Sequence, residues 1–425
     1  MKPEDDNPLE LLKIAWCTHD AGTFRKVLER HPDLKRRINE PIAAFDSPLI
    51  TTVRTREMLD VLREAGADIN AKSQWWAGGF GLLHGASPEL AAYAIERGAV
   101  IDAHAAARLG LLERLRELIS AQPSLVNAPG GDGQTPLHFA SNIEIAEYLL
   151  DRGAEIDAPD VDHESTPAQY MVRDRQEVLR YLIQHGSKTD ILMAAAIGDA
   201  HLVSRHLDAD PECIRTRVDA HYFPMRNQRA GGTIYQWSLG FHVSPHEVAK
   251  QFGHQDVFEL LITRSPPDVK LIAACWLEDE ANLKTLLAAH PALTASMMDK
   301  YSRQVADAAR NNSLAAVRLM LAAGLPVDAL GQHGGTPLHW AAFHGNLEMT
   351  KLLLAHHPPL ETLDADFHST PVGWATHGSE HGWYCRTGDY PGTVEALLQA
   401  GAKPPARLQG TDKVREVLRA RGVTE

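Results

Sequence analysis

Apolar side chains along this chain fall in short runs at helical spacing, each closed by glycine or proline. Ile145, Ala146, Tyr148, Leu149 and Leu150 make one run, and Met349, Leu352, Leu353 and Leu354 another. Residues three and four apart share one face of a helix, so each run reads as a helix with one apolar stripe. The pattern after several runs is Gly-Ala-x-apolar-Asp/Asn, as in Gly66-Ala67-Asp68-Ile69-Asn70, Gly98-Ala99-Val100-Ile101-Asp102 and Gly153-Ala154-Glu155-Ile156-Asp157, with Gly186-Ser187-Lys188-Thr189-Asp190 a variant. The steps from 66 to 98 and from 153 to 186 are 32 and 33 residues. A second ending uses proline: His31-Pro32-Asp33-Leu34, Gln122-Pro123-Ser124-Leu125, Asp210-Pro211-Glu212-Cys213 and His290-Pro291-Ala292-Leu293. Glycine adopts the left-handed conformation that ends a helix, and proline cannot continue one. Together the endings predict about twelve helix-turn-helix units across residues 9–402, with the ~33-residue period of a stacked repeat.

Two units open almost alike, with Thr135-Pro136-Leu137-His138-Phe139-Ala140 and Thr336-Pro337-Leu338-His339-Trp340-Ala341. Proline fits a first helical turn, where its missing N–H costs nothing, and the preceding threonine caps that turn. This opening and the ~33-residue period resemble the ankyrin repeat. The resemblance implies an all-α, ankyrin-type solenoid with short hairpin turns and irregular insertions, whose first helices line a concave face. It also implies hydrogen-bonding, structural roles for His138 and His339, and protein–protein interaction as the default role without naming a partner. Several units are clipped at the Gly-His corner between their helices, which survives as His344-Gly345 and Gly253-His254. Clipped pairs bury less apolar area and should lean on their neighbours.

Three stretches break the repeat: residues 72–81, 219–242 and 377–390. The chain thus divides into repeats over 1–218, an aromatic and glycine-rich insertion at 219–242, and repeats over 243–425 that include the third insertion and a closing helix. The insertions carry Trp75, Trp76, Arg226, Tyr235, Trp237, His377, His381 and Trp383, while Trp276, Trp340 and Trp374 hold first-helix positions. Aromatic side chains on loops and a concave face are the usual anchors of recognition, and these eleven residues are the candidate binding set. His377-x-x-Glu380-His381 matches a zinc-protease spelling, but Gly378, Ser379 and Gly382 argue against the helix that chemistry needs. Cys385 and Asp389 would complete a metal site of another kind; no metal, cofactor or catalytic residue is assigned. The acidic fingers Asp160-Val161-Asp162-His163-Glu164-Ser165 and Asp364-Ala365-Asp366-Phe367-His368-Ser369 are read as turns whose first aspartate satisfies backbone amides.

Composition narrows the function. Fifty-five acidic against 42 basic side chains give a net charge of −13, which argues against nucleic-acid binding. The basic stretch at 403–421 reads as a solvated helix face. No apolar run reaches the ~18 residues of a membrane helix, and the acidic opening, residues 1–6, is unlike a signal peptide. Four scattered cysteines fit a reducing cytoplasm. The first reading is a cytoplasmic protein-interaction module without catalysis, binding a protein partner through its concave face and inserted loops. The second is an enzyme or small-ligand binder, with carbohydrate as one ligand class, whose pocket forms only where the insertions converge.

Overall fold

The computed structural model describes residues 8–424; the acidic opening lies outside them. The described chain is helical throughout, with two isolated bridges, Ala43 to Ser47 and Lys72 to Gly81, in place of strands. No described helix is long and apolar enough to cross a membrane. The chain forms two compact units, one of residues 1–197 and 217–241, the other of 198–216 and 242–425.

Each unit is built from stacked helix pairs whose apolar stripes meet in shared clusters. In the first unit Phe24, Leu28, Ile50, Met58, Leu62, Leu82 and Leu90 share one cluster. In the second, Leu271, Val305, Met320, Leu338, Met349, Leu353 and Val394 share another. The Thr-Pro-Leu-His turns join successive units. The Thr336 N–H donates to His339 Nδ1 at 3.1 Å, and His339 Nε2 donates to the Ser369 carbonyl of the next repeat at 3.1 Å. The first unit repeats this arrangement with Thr135, His138 and Ser165, at 3.0 and 3.2 Å. Both histidines are structural, and burial pushes His138 down to about 4 and His339 downward.

Clipping shows itself as shortened first helices. Pro136–Phe139 and Leu82–His84 are single 3-10 turns, and Pro167–Tyr170 is four residues, whereas Pro337–Phe343 runs its full length. A short helix leaves carbonyls without intrahelical donors. Arginines from neighbouring repeats supply them: Arg175 donates to the His138 and Ala140 carbonyls at 2.7 and 3.0 Å, and Arg54 to Gly85 at 3.2 Å. The dependence of clipped units on their neighbours is therefore hydrogen-bonded as well as apolar.

One local expectation fails. Despite its glycines, residues 377–381 are helical, because the helix Pro371–His381 runs four residues past the length of Pro337–Phe343. Gly378 has a packing reason to be there: a Cβ would collide with the Phe343 backbone. The rest of that insertion is a turn leading to the helix Tyr390–Gln399, which Asp389 caps by accepting from the Gly392 N–H at 2.9 Å. The closing helix is Asp412–Ala420.

Candidate functional site

In the second unit, the first helices and the fingers before them enclose a cleft of about 460 Å³, lined chiefly by His333, Trp340, Phe343, Phe367, Trp374 and Trp383, with His377 and Gln409 at its edge. Four parts of the fold supply the rings. Trp340 and Phe343 come from Pro337–Phe343, Trp374 from Pro371–His381, Phe367 from the acidic finger and Trp383 from the insertion turn. Trp340 packs edge-on to Trp374 at 5.0 Å and stacks on Trp383 at 6.1 Å. Arg310 lies 5.6 Å from the Trp340 ring and 5.3 Å from the Trp383 ring, and burial lowers its guanidinium to about 10. Trp340 and Trp374 are buried, yet Trp383 and Phe367 are 59% and 65% exposed. The buried Trp340 indole N–H makes no hydrogen bond among the described residues.

The acidic finger in this unit is a turn, as its spelling implies. Asp364 accepts from the Asp366, Phe367 and Ser369 amides at 3.0, 2.6 and 2.9 Å and from the Trp374 indole at 2.9 Å. Its neighbour His333 contacts Asp366 at 2.6 Å through Nδ1.

In the first unit the other two insertions meet on the matching finger. Asp160 accepts from the His163 and Ser165 amides at 2.9 and 2.7 Å and from the Tyr170 hydroxyl at 3.0 Å. From one side Trp75 donates its indole hydrogen to Asp162 Oδ2 at 3.3 Å. Gly78 approaches the Gly130 carbonyl so closely, at φ +136°, that a side chain there would overlap it. From the other side the second insertion donates the Gly231 N–H to the Asp162 carbonyl at 2.8 Å, and the Arg226 and Asn227 amides to Glu164 at 3.0 and 2.8 Å. The insertions also touch, with Arg229 4.6 Å over the Trp76 ring.

Asp132, in the finger before, completes the group. Its carboxylate, that of Asp162 and the His163 ring place three ligand-type atoms within 4.8 Å of one another. Burial, with Asp162 and Asp160 close by, pushes Asp132 up to about 7.

The candidate binding residues therefore separate. Trp340, Trp374, His377 and Trp383 share the aromatic cleft, and Trp75 and Trp76 flank the junction in the first unit. The Arg226 side chain is almost fully exposed, as is much of Trp237. Tyr235 is fully buried, its hydroxyl donating to Asp190 at 2.8 Å, so it packs the insertion instead of presenting a binding surface. Trp276 is half-buried and donates to Gln304 at 2.8 Å. His381 is exposed, its ring 4.8 Å from that of His377. Cys385 and Asp389 do not join these histidines in a group of three ligands among the described residues. The Asp132, Asp162 and His163 group does not stand out in the sequence; its signal is an aspartate in Gly131-Asp132-Gly133, thirty residues before Asp162.

Helix pairs joined by Thr-Pro-Leu-His turns, with histidines tying repeat to repeat, define a repeat solenoid. Family models described as ankyrin repeats match residues 103–193 and 305–354. Ankyrin repeats are thus present in both compact units, at residues 103–193 of the first and 305–354 of the second. Among curated relatives it is 28% identical over 154 residues to mouse "Ankyrin repeat and SAM domain-containing protein 6", covering 35% of this chain and 17% of that protein. It is 22% identical over 259 residues to "E3 ubiquitin-protein ligase KEG" of Arabidopsis thaliana, covering 55% of this chain and 15% of that one. The chain thus spans less than a fifth of either relative's length. Among solved structures, the ankyrin repeat domain of Bcl-3 aligns with 55% of this chain and 99% of its own, at 19% identity and a TM-score of 0.32.

Proposed function

We propose that this chain is a protein-binding module of the cytoplasm whose aromatic cleft seats an apolar or aromatic side chain of a protein partner. The observation that carries this reading is the exposure of Trp383 and Phe367 at the rim of a ~460 Å³ cleft floored by buried rings. Exposed rings beside a preformed cleft present a large contact area at little ordering cost, the character of an interface anchor. The −13 charge favours a partner with a basic patch, through steering more than affinity. Trp75, Trp76, Arg226 and Trp237 extend the recognition surface in the first unit.

The test is affinity capture from native lysate with mass spectrometry, comparing wild type with Trp383→Ala at matched helical content. A stoichiometric protein held by wild type and lost by the variant supports the reading. Equal capture by both, or none, sinks it. The meeting of residues 72–81 with 219–241 in the first unit favours, as a second reading, a small-ligand site there.

A further inference from the structure

We propose that Asp132, Asp162 and His163 form a binding site for one divalent transition-metal ion of the zinc class, held in the first unit between two neighbouring fingers and the second insertion.

The argument begins with the histidine tautomer. His163 Nδ1 lies 2.7 Å from the Gly232 carbonyl, and a carbonyl only accepts, so the ring hydrogen sits on Nδ1. Nε2 then carries a lone pair when the ring is neutral. It faces Asp132 Oδ2 at 3.8 Å and Asp162 Oδ2 at 3.9 Å. These separations are too long for hydrogen bonds, but two ligand bonds of roughly 2.0–2.2 Å can span them. The three side chains are only 14%, 7% and 10% exposed for Asp132, Asp162 and His163.

The surroundings are those of ligands fixed from behind. A metal-binding histidine ordinarily donates its other ring N–H to a carbonyl or carboxylate, and ligating carboxylates are themselves hydrogen-bonded. Here Gly232 takes the histidine hydrogen, while Asp162 accepts from Trp75 Nε1 at 3.3 Å and from the Gly231 N–H at 3.1 Å. Both insertions thus orient the donors.

The second unit provides an internal comparison. His333 takes the place of Asp132, with φ of +59° against +54°, and each residue's carbonyl accepts from the next finger, from Ala365 N–H and Val161 N–H at 2.8 Å. There the finger pair is His333 and Asp366, closed by their own 2.6 Å contact, and Phe367 stands where the first unit has His163. The same frame that closes on a histidine–aspartate pair in one unit holds two carboxylates and an imidazole around a gap in the other. One imidazole and two carboxylates suit zinc and similar divalent ions better than calcium or copper(I). Three protein ligands leave a coordination position for water or a further ligand.

The experiment is titration of the chelator-stripped full chain with Zn2+ by calorimetry, against Asp132→Asn, His163→Gln and, as control, His356→Ala/His357→Ala, an exposed pair in the second unit. One equivalent should bind to wild type and control, with affinity at least about tenfold weaker in both ligand variants. Hydrogen exchange of wild type, which needs no variant, should slow on Zn2+ addition at 160–165 and 229–234. No bound equivalent, unchanged affinity in ligand variants of intact helical content, or protection confined to other segments overturns the proposal.

Discussion

Trp75 donates its indole hydrogen to Asp162 across 87 positions of sequence, tying the first insertion to the 160–165 finger. A partly buried hydrogen bond to a carboxylate contributes about 1–2 kcal/mol. Trp75→Phe keeps the ring against Phe45, 5.2 Å away, and removes only the donor. Urea denaturation should show the first unit weakened by about that amount, while a change within error would mean that the bond contributes nothing.

Gly78 lets the same insertion lie against the next finger. At φ +136° and with the Gly130 carbonyl in the path of a Cβ, alanine is strained and overlapping at once. Gly78→Ala should lift the insertion, costing about 2 kcal/mol or more and raising amide exchange across 72–81 while the helix Ile143–Asp151 stays protected.

Arg175 substitutes for the helical turn missing from the clipped unit at Pro136–Phe139. Arg175→Met fills similar space but leaves the His138 and Ala140 carbonyls without this donor. Two buried acceptors lost from a charged donor cost about 2–4 kcal/mol, to be read as a lowered denaturation midpoint. A matching cut at an exposed arginine such as Arg226 should fall within about 0.5 kcal/mol.

Acid should weaken both units. Burial holds His138 and His344 neutral, with folded values of about 4 against an ordinary 6.5. Between those values the unfolded chain binds protons that the folded chain does not. Stability is therefore full above pH ~6.5 and is lost as pH falls towards 4, by about 2 kcal/mol per histidine near pH 5. Urea midpoints measured at pH 7 and 5 check this; a flat profile contradicts it.

Trp383 and Trp374 line one cleft but should respond oppositely. Trp383 is 59% exposed, so Trp383→Ala should change stability by less than about 1 kcal/mol and weaken partner binding about thirtyfold, some 2 kcal/mol. Trp374 is buried and bonded to Asp364 at 2.9 Å, and Trp374→Ala should cost about 3–5 kcal/mol of folding. Paired thermal melts and binding titrations separate the two roles.

The repeat, the helix endings and the structural histidines were legible in the chain because each is a local device. A threonine caps three residues on, a glycine or proline ends the helix it follows, and His138 and His339 act one period ahead. Asp160 and Asp364 read correctly as turn residues for the same reason. The helix through His377 and His381 was misread because glycine's weak helix propensity was overridden by close packing on Phe343. Tyr235 looked like a surface aromatic because nothing in its neighbourhood announces Asp190, 45 residues earlier.

Spacing alone thus determined the all-α repeat, its ~33-residue period and the three places where it is interrupted. Tertiary structure decided what the interruptions do: two clamp the 160–165 finger in the first unit, and the third roofs an aromatic cleft in the second. Period and capping depend on contacts within about one repeat, so the order of residues contains them. Where an insertion lands depends on stacking, which brings Trp75, Asp132, His163 and Gly232 together from distant positions, and no spacing rule within one unit encodes that meeting.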